Sequence, residues 1–139
     1  KSFAVKVENK DGVKSCFNMI VKNEPMPSGI LEVSGNFTTL NDNQETVDIE
    51  IYENDYMDKY FDVDEDLKIG NAILELPENL PAGSLVEITL KLNKEGILEI
   101  RGKDKTGNKE VNVKLETKSV ISREKLEKLT NKSQGIAVL

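Results

Sequence analysis

The chain has 139 residues, 37% hydrophobic and 32% charged, with a formal net charge of −6. That length is one domain's worth and can build a core without staples, while the acidity argues against a nucleic-acid partner, which needs a basic stripe for its phosphates. Histidine and tryptophan are absent and cysteine occurs once, which excludes Ser-His-Asp and Cys-His nucleophiles, mixed Cys/His zinc sites and internal disulfides.

The first predicted strand covers residues 2–7, where Phe3, Val5 and Val7 alternate with Ala4 and Lys6. Asn9-Lys10-Asp11-Gly12 predicts a hairpin, because Asp-Gly supplies the positive φ angles of a tight turn. The return strand runs over about residues 13–21. Two prolines and a glycine make residues 23–29 a loop, since proline cannot donate to a ladder. A third strand is predicted from Ile30 to Thr39, with a bulge at Ser34-Gly35. A polar turn, Asn41-Asp42-Asn43-Gln44, leads to a fourth strand in which Val47, Ile49 and Ile51 alternate with Asp48 and Glu50. Phe37, Leu40, Val47 and Ile49 all lie near that turn, so the pair of strands is a candidate pocket wall.

Residues 53–70 are acidic and aromatic with no sustained period, and read as a long loop with a helical turn. Ile73, Leu74 and Leu76 form a short fifth strand, stopped by Pro77 and Pro81. Val86, Ile88, Leu90 and Leu92 mark a sixth, which turns at Asn93-Lys94-Glu95-Gly96 into a seventh through Ile100. A turn over residues 104–108 leads to an eighth, where Val111, Val113 and Leu115 alternate with polar residues. At Ser122 the pattern changes: a serine N-cap, Glu124 in the first turn, and Leu126 and Leu129 on one face predict a short helix to about Asn131. The last residues, Gly135-Ile136-Ala137-Val138-Leu139, are uncharged and apolar. Eight short strands joined by hairpins predict a mainly β fold, a compact antiparallel β-sandwich over residues 1–121, followed by the helix and tail over 122–139.

Several stretches imitate chemical motifs. Asp62-Val63-Asp64-Glu65-Asp66 opens like a calcium loop, but Leu67 and Ile73 stand where the pattern needs Gly and Glu, so a solvated acidic loop is expected and no metal site. Gly102 and Gly107 have the spacing of a phosphate loop, yet no Ser or Thr follows and no helix comes next; a hairpin turn is expected. Cys16 sits among apolar strand residues and reads as a packed thiol. No pair of carboxylates stands out for glycoside hydrolysis. A single cysteine fits a reducing, cytoplasmic setting, and no apolar run nears the roughly 20 residues that span a bilayer, so no membrane partner is expected. Lys1 in place of an initiating methionine suggests a piece of a longer chain.

Three segments carry a family resemblance. Residues 93–110, NKEGILEIRGKDKTGNKE, resemble the D-x-D/N-G-I-L-x-V-x-A-x-D-K-x-S/T-G-K-E of the 70-kilodalton heat-shock chaperones of DnaK type. Ile20-Val21-Lys22-Asn23-Glu24-Pro25-Met26-Pro27 is similar to that family's I-x-R/K-N-T-x-I-P. Asp42-Asn43-Gln44, followed by Val47, Ile49 and Ile51, is similar to its D-N-Q-x-x-V-x-I-x-V. The three stand in the family's order and the likeness covers about residues 2–121.

The resemblance implies the β-sandwich of a substrate-binding domain, which holds extended, unfolded hydrophobic polypeptides in a channel between loops. Matched position by position, Val5, Phe37, Val47, Ile49 and Val86 fall on the family's pocket. Val7, Thr38, Thr39 and Gln44 fall beside the bound backbone, and Leu40 on one side of the arch over it, with the other side near Glu8. The fragment itself is expected to be non-catalytic and to hold no cofactor. ATP and magnesium belong to the family's separate nucleotide-binding domain, and a J-domain co-chaperone and a nucleotide-exchange factor are implied for the full protein. The first hairpin and the segments before Phe37 and after Tyr52 are longer than in DnaK-type proteins, and residues 80–83 lack the arginine that latches the family's lid. The apolar tail, Gly135 to Leu139, resembles a substrate and is a candidate for self-binding. From the residues alone, two alternatives stay open: a structural or adhesive β-sandwich that binds no peptide, and a small hydrolase with paired carboxylates.

Overall fold

In the computed structural model, residues 1–117 are described. They form nine strands: β1 Ser2–Glu8, β2 Lys14–Ile20, β3 Ile30–Thr38, β4 Thr46–Asn54, β5 Tyr60–Phe61, β6 Lys68–Glu75, β7 Leu85–Asn93, β8 Ile97–Asp104 and β9 Glu110–Glu116. One sheet has the order β5-β2-β1-β4-β6 and the other β3-β7-β8-β9, and every pairing is antiparallel. The two sheets face one another as a sandwich. The helix predicted from Ser122, which the resemblance makes the truncated start of the family's lid, and the apolar tail lie outside the described residues.

Alternation places the core where the period of two requires. Phe3, Val5, Ile49, Ile51 and Leu74 from the first sheet meet Val86, Ile88, Leu90, Leu98 and Ile100 from the second, all buried. The first hairpin closes as its Asp-Gly pair predicts. Gly12 takes φ 79°, and the Asn9 side-chain oxygen accepts the N–H groups of Asp11 and Val13 at 2.9 Å each.

Two local expectations are corrected. No bulge interrupts β3, whose register with β7 is unbroken from Ile30↔Asn93 to Thr38↔Leu85. Gly35 packs closely instead: a Cβ there would stand 3.1 Å from the Phe37 ring, which would have to give by a few tenths of an ångström. The irregularities fall between Phe3 and Ala4 in β1 and between Ile51 and Tyr52 in β4.

The expected loop over residues 53–70 is also largely structured. β4 runs on to Asn54, and β5, a 3-10 turn at Glu65–Leu67 and the start of β6 follow, with irregular stretches at 55–59 and 62–64 between them. Hydropathy misses the start of this stretch because β4 continues through polar residues that are buried. Tyr52 is fully buried and donates its hydroxyl to Glu65 at 2.7 Å, while Asn54 donates to the Asn18 side chain at 2.9 Å. Asn18 in turn donates to the Asp58 carbonyl at 2.8 Å. This segment roofs the outer face of the first sheet, where Phe61, Val63 and Leu67 pack on Ala4, Cys16 and Tyr52. Under that roof the Cys16 thiol is pushed up to about 11, chiefly by burial and further by Glu65, Glu50 and Asp64, against the opposing pull of Lys6.

Candidate functional site: a cleft where the first sheet forks

β1 and β4 are neighbours for only four residues, from Ser2↔Asn54 to Val5↔Ile51. Beyond Val5, β1 stays with β2 through Lys6↔Cys16, Val7↔Ser15 and Glu8↔Lys14. Below Ile51, β4 stays with β6 through Glu50↔Asn71 down to Thr46↔Glu75. The sheet therefore forks, and the two strand edges that border the gap have no strand partner there among the described residues.

A cavity of about 510 Å³ fills the fork. One lip is Val5, Lys6, Val7 and Glu8, with Lys14 beside it; the other is Val47, Asp48, Ile49 and Glu50. The second sheet closes the back with Asn36, Phe37, Thr38 and Ile88, and the loop after β3 adds Leu40 and Gln44. Val5, Ile49 and Ile88 are buried at the bottom, whereas Val7, Phe37 and Val47 are half-buried at the sides. Leu40 is 43% exposed, an aliphatic side chain standing open to solvent at the mouth.

Ionic contacts fasten the root of the fork. Where the next rung after Val5↔Ile51 would fall, the side chains of Lys6 and Glu50 meet at 2.6 Å, and Lys68 approaches the other oxygen of Glu50 at 2.8 Å. Burial alone would raise the Glu50 carboxyl, but the hydrogen bonds from Lys6 and Lys68 outweigh it and hold the group below the usual glutamate range.

The loop between β3 and β4 is held by its own polar side chains. The Gln44 amide oxygen accepts the N–H groups of Leu40 and Asn41 at 3.0 and 3.3 Å, and its nitrogen donates to the Thr46 carbonyl at 2.9 Å. Asp42 accepts the Ala82 N–H at 2.9 Å, tying this loop to the one before β7. Asn43 takes φ 58° there, a left-handed angle that asparagine tolerates.

Eight of the ten residues matched from the resemblance border the cavity: Val5, Val7, Phe37, Thr38, Leu40, Gln44, Val47 and Ile49. Thr39 and Val86 do not. Thr39 is buried beneath the loop, where its hydroxyl donates to the Pro81 carbonyl and accepts the Ser84 N–H, both at 3.1 Å. Val86 sits opposite Phe37 in the β3–β7 register, 1% exposed, as core behind the wall. Lys6, Lys14, Asn36, Asp48, Glu50 and Ile88 border the cavity without having been singled out. Ile88 was legible as the next inward residue after Val86; the lip charges were not, because they depend on where β1 and β4 part.

A second hollow of about 600 Å³ lies at the far end of the other sheet, but Lys91, Glu99, Lys114 and Glu116 dominate its walls. The fork combines aliphatic walls with strand edges that have no strand partner among the described residues. An extended chain laid in it would meet backbone partners at the lips and an apolar pocket beneath.

The family model described as "Hsp70 protein" matches residues 1–138. The chain is 28% identical over 120 residues to a protein named "Chaperone protein DnaK" from Anaplasma marginale (strain St. Maries), covering 86% of this chain and 18% of that protein. It is 26% identical over 130 residues to another of that name from Buchnera aphidicola subsp. Schizaphis graminum (strain Sg), covering 93% of this chain and 19% of that protein. The chain thus spans less than a fifth of the length of these curated relatives.

Proposed function

The chain belongs to the Hsp70 protein family, and from that membership we propose that its sandwich is the family's substrate-binding module, holding extended, unfolded hydrophobic polypeptide in the fork between β1 and β4. One observation carries the reading: two strand edges without strand partners flank an aliphatic pocket. Backbone groups are common to every sequence, so lips that bond them hold chains of many sequences, while the pocket asks only for an aliphatic side chain.

On this reading the fragment does no catalysis of its own. Its Gly102–Gly107 stretch does not fit a nucleotide phosphate, because the N–H groups of Thr106, Gly107 and Lys109 already bond the Asp104 carboxylate at 3.0, 2.8 and 2.9 Å. ATP turnover, a J-domain co-chaperone and a nucleotide-exchange factor belong to the proposal for the longer protein, as does a cytoplasmic location. Among the described residues no helix is long and apolar enough to cross a membrane.

The test is fluorescence anisotropy with labelled heptapeptides. A peptide with a central leucine should bind at least about tenfold more tightly than the same peptide with a central aspartate, since burying leucine contributes roughly 1.5–3 kcal/mol. Equal affinity for the two, or none for either, would overturn the proposal. The wall behind the pocket offers a second check. A methyl group added at Gly35 would stand 3.1 Å from Phe37 Cε1 and 3.5 Å from Met19 Cε. Gly35→Ala should therefore press the Phe37 ring into the cavity and weaken leucine-peptide binding about threefold, with the fold retained. Titration of the variant by anisotropy, alongside its circular dichroism spectrum, reads both.

A further inference from the structure

Phe37 borders the cavity. Behind it lie Gly35 and Met19, and Phe17 of β2 meets it edge-on, with ring centroids 6.1 Å apart and planes at 70°. This contact bridges the two sheets at the side of the sandwich where β2 and β3 come together. Phe17 is itself held from the far side. The Tyr60 ring of β5 packs against it at 5.3 Å, and the Lys59 ammonium stands 6.0 Å from the Phe17 centroid and 5.7 Å from that of Tyr60.

The position of Tyr60 is determined although its side chain is 54% exposed. Phe17 and Tyr60 are register partners in the β2–β5 pair, and the Asn18 N–H donates to the Lys59 carbonyl at 2.9 Å. The Asn18 side chain fixes the preceding turn through the Asp58 carbonyl at 2.8 Å. A large aromatic residue is thus kept on an exposed edge strand where it contributes little burial of its own, and its ring contact leads through Phe17 to the cavity wall.

We infer that Tyr60 is a positioning residue for the cleft: it braces Phe17 against Phe37 and so sets the width of the pocket and the size of side chain it prefers. This rests on the reading of the cleft as a peptide groove. Without the brace, Phe17 can shift outward, Phe37 can follow, and the pocket accommodates a bulkier side chain at less cost.

The experiment measures affinity for two heptapeptides that differ only in a central leucine or a central phenylalanine. Tyr60→Ala should lower the ratio of leucine to phenylalanine affinity about threefold, the scale of one aromatic contact, and Tyr60→Phe, which keeps the ring, should restore it. Phe17→Leu, which removes the intermediate ring, should move the ratio in the same direction. A purely structural role for Tyr60 would weaken both peptides in parallel and leave the ratio unchanged, and that result overturns the inference while leaving the groove intact. Wild-type protein that binds neither peptide overturns the inference and the groove together.

Discussion

Val47→Asp should abolish measurable binding of the central-leucine heptapeptide, raising Kd by more than about thirtyfold. Val47 is half-buried on the β4 lip, one side-chain step above buried Ile49. A carboxylate there costs the guest's leucine its apolar neighbour, a loss of about 1–2 kcal/mol, and must also shed water as the guest closes over it, which costs at least as much. Together these exceed about 2 kcal/mol, or roughly thirtyfold. In the free protein the new carboxylate faces the open cavity and stays hydrated, so the fold should survive. Leu40→Asp should have the same sign and a smaller effect, about fivefold to tenfold, because Leu40 closes only one side of the mouth. Ile30→Asp is the control: Ile30 is 46% exposed at the opposite end of β3 and should leave affinity unchanged. Equal binding by all four proteins would remove the fork from consideration.

Asp104→Ala should cost about 3 kcal/mol of folding stability, read as a lowered denaturant midpoint with an unchanged slope. Asp104 is fully buried at the end of β8, and its two oxygens accept three backbone N–H groups of the turn into β9. Alanine strands all three donors. Burial alone would raise this carboxyl, but the bonds from Gly107, Lys109 and Thr106 more than compensate and hold it below the usual aspartate range. A carboxyl depressed in the folded state contributes stability that is complete above its unfolded value near pH 3.9 and is lost as pH falls through the folded one. Wild type should therefore lose stability on acidification below about pH 4, and Asp104→Asn should show a shallower loss over that window. Chemical denaturation at stepped pH compares the two curves.

Much of the sandwich was legible because its strands obey a period of two. Val86, Ile88, Leu90 and Leu92 declare β7, and Val47, Ile49 and Ile51 declare the inward face of β4. What hydropathy could not show was that Tyr52 and Asn54 continue β4 as buried polar residues, since their partners, Glu65 and Asn18, are distant in sequence. Nor could it show that β3 and β4, joined by a short loop, belong to opposite sheets. Alternation and the polar turn made Phe37, Leu40, Val47 and Ile49 only a candidate wall, with core as the plainer reading of Val47 and Ile49, and the resemblance assigned them to a pocket. Thr39 was matched to the cleft but turns under the loop, because its hydroxyl satisfies two backbone groups of the neighbouring one. The fork itself has no local signature. It arises where two registers diverge, and register is a property of pairs of strands.

That divergence has a consequence for what can enter. An exposed strand on the rim of a folded sheet offers one free edge, its other edge being already bonded to its neighbour. A chain lying between the lips of β1 and β4 must offer both edges at once. Only a segment that has lost its own sheet partners on either side can do so. On the proposed reading the gap would therefore discriminate between folded and unfolded proteins by counting free edges, before any side chain is read, and a native surface strand, however apolar, would be turned away by the sheet it belongs to.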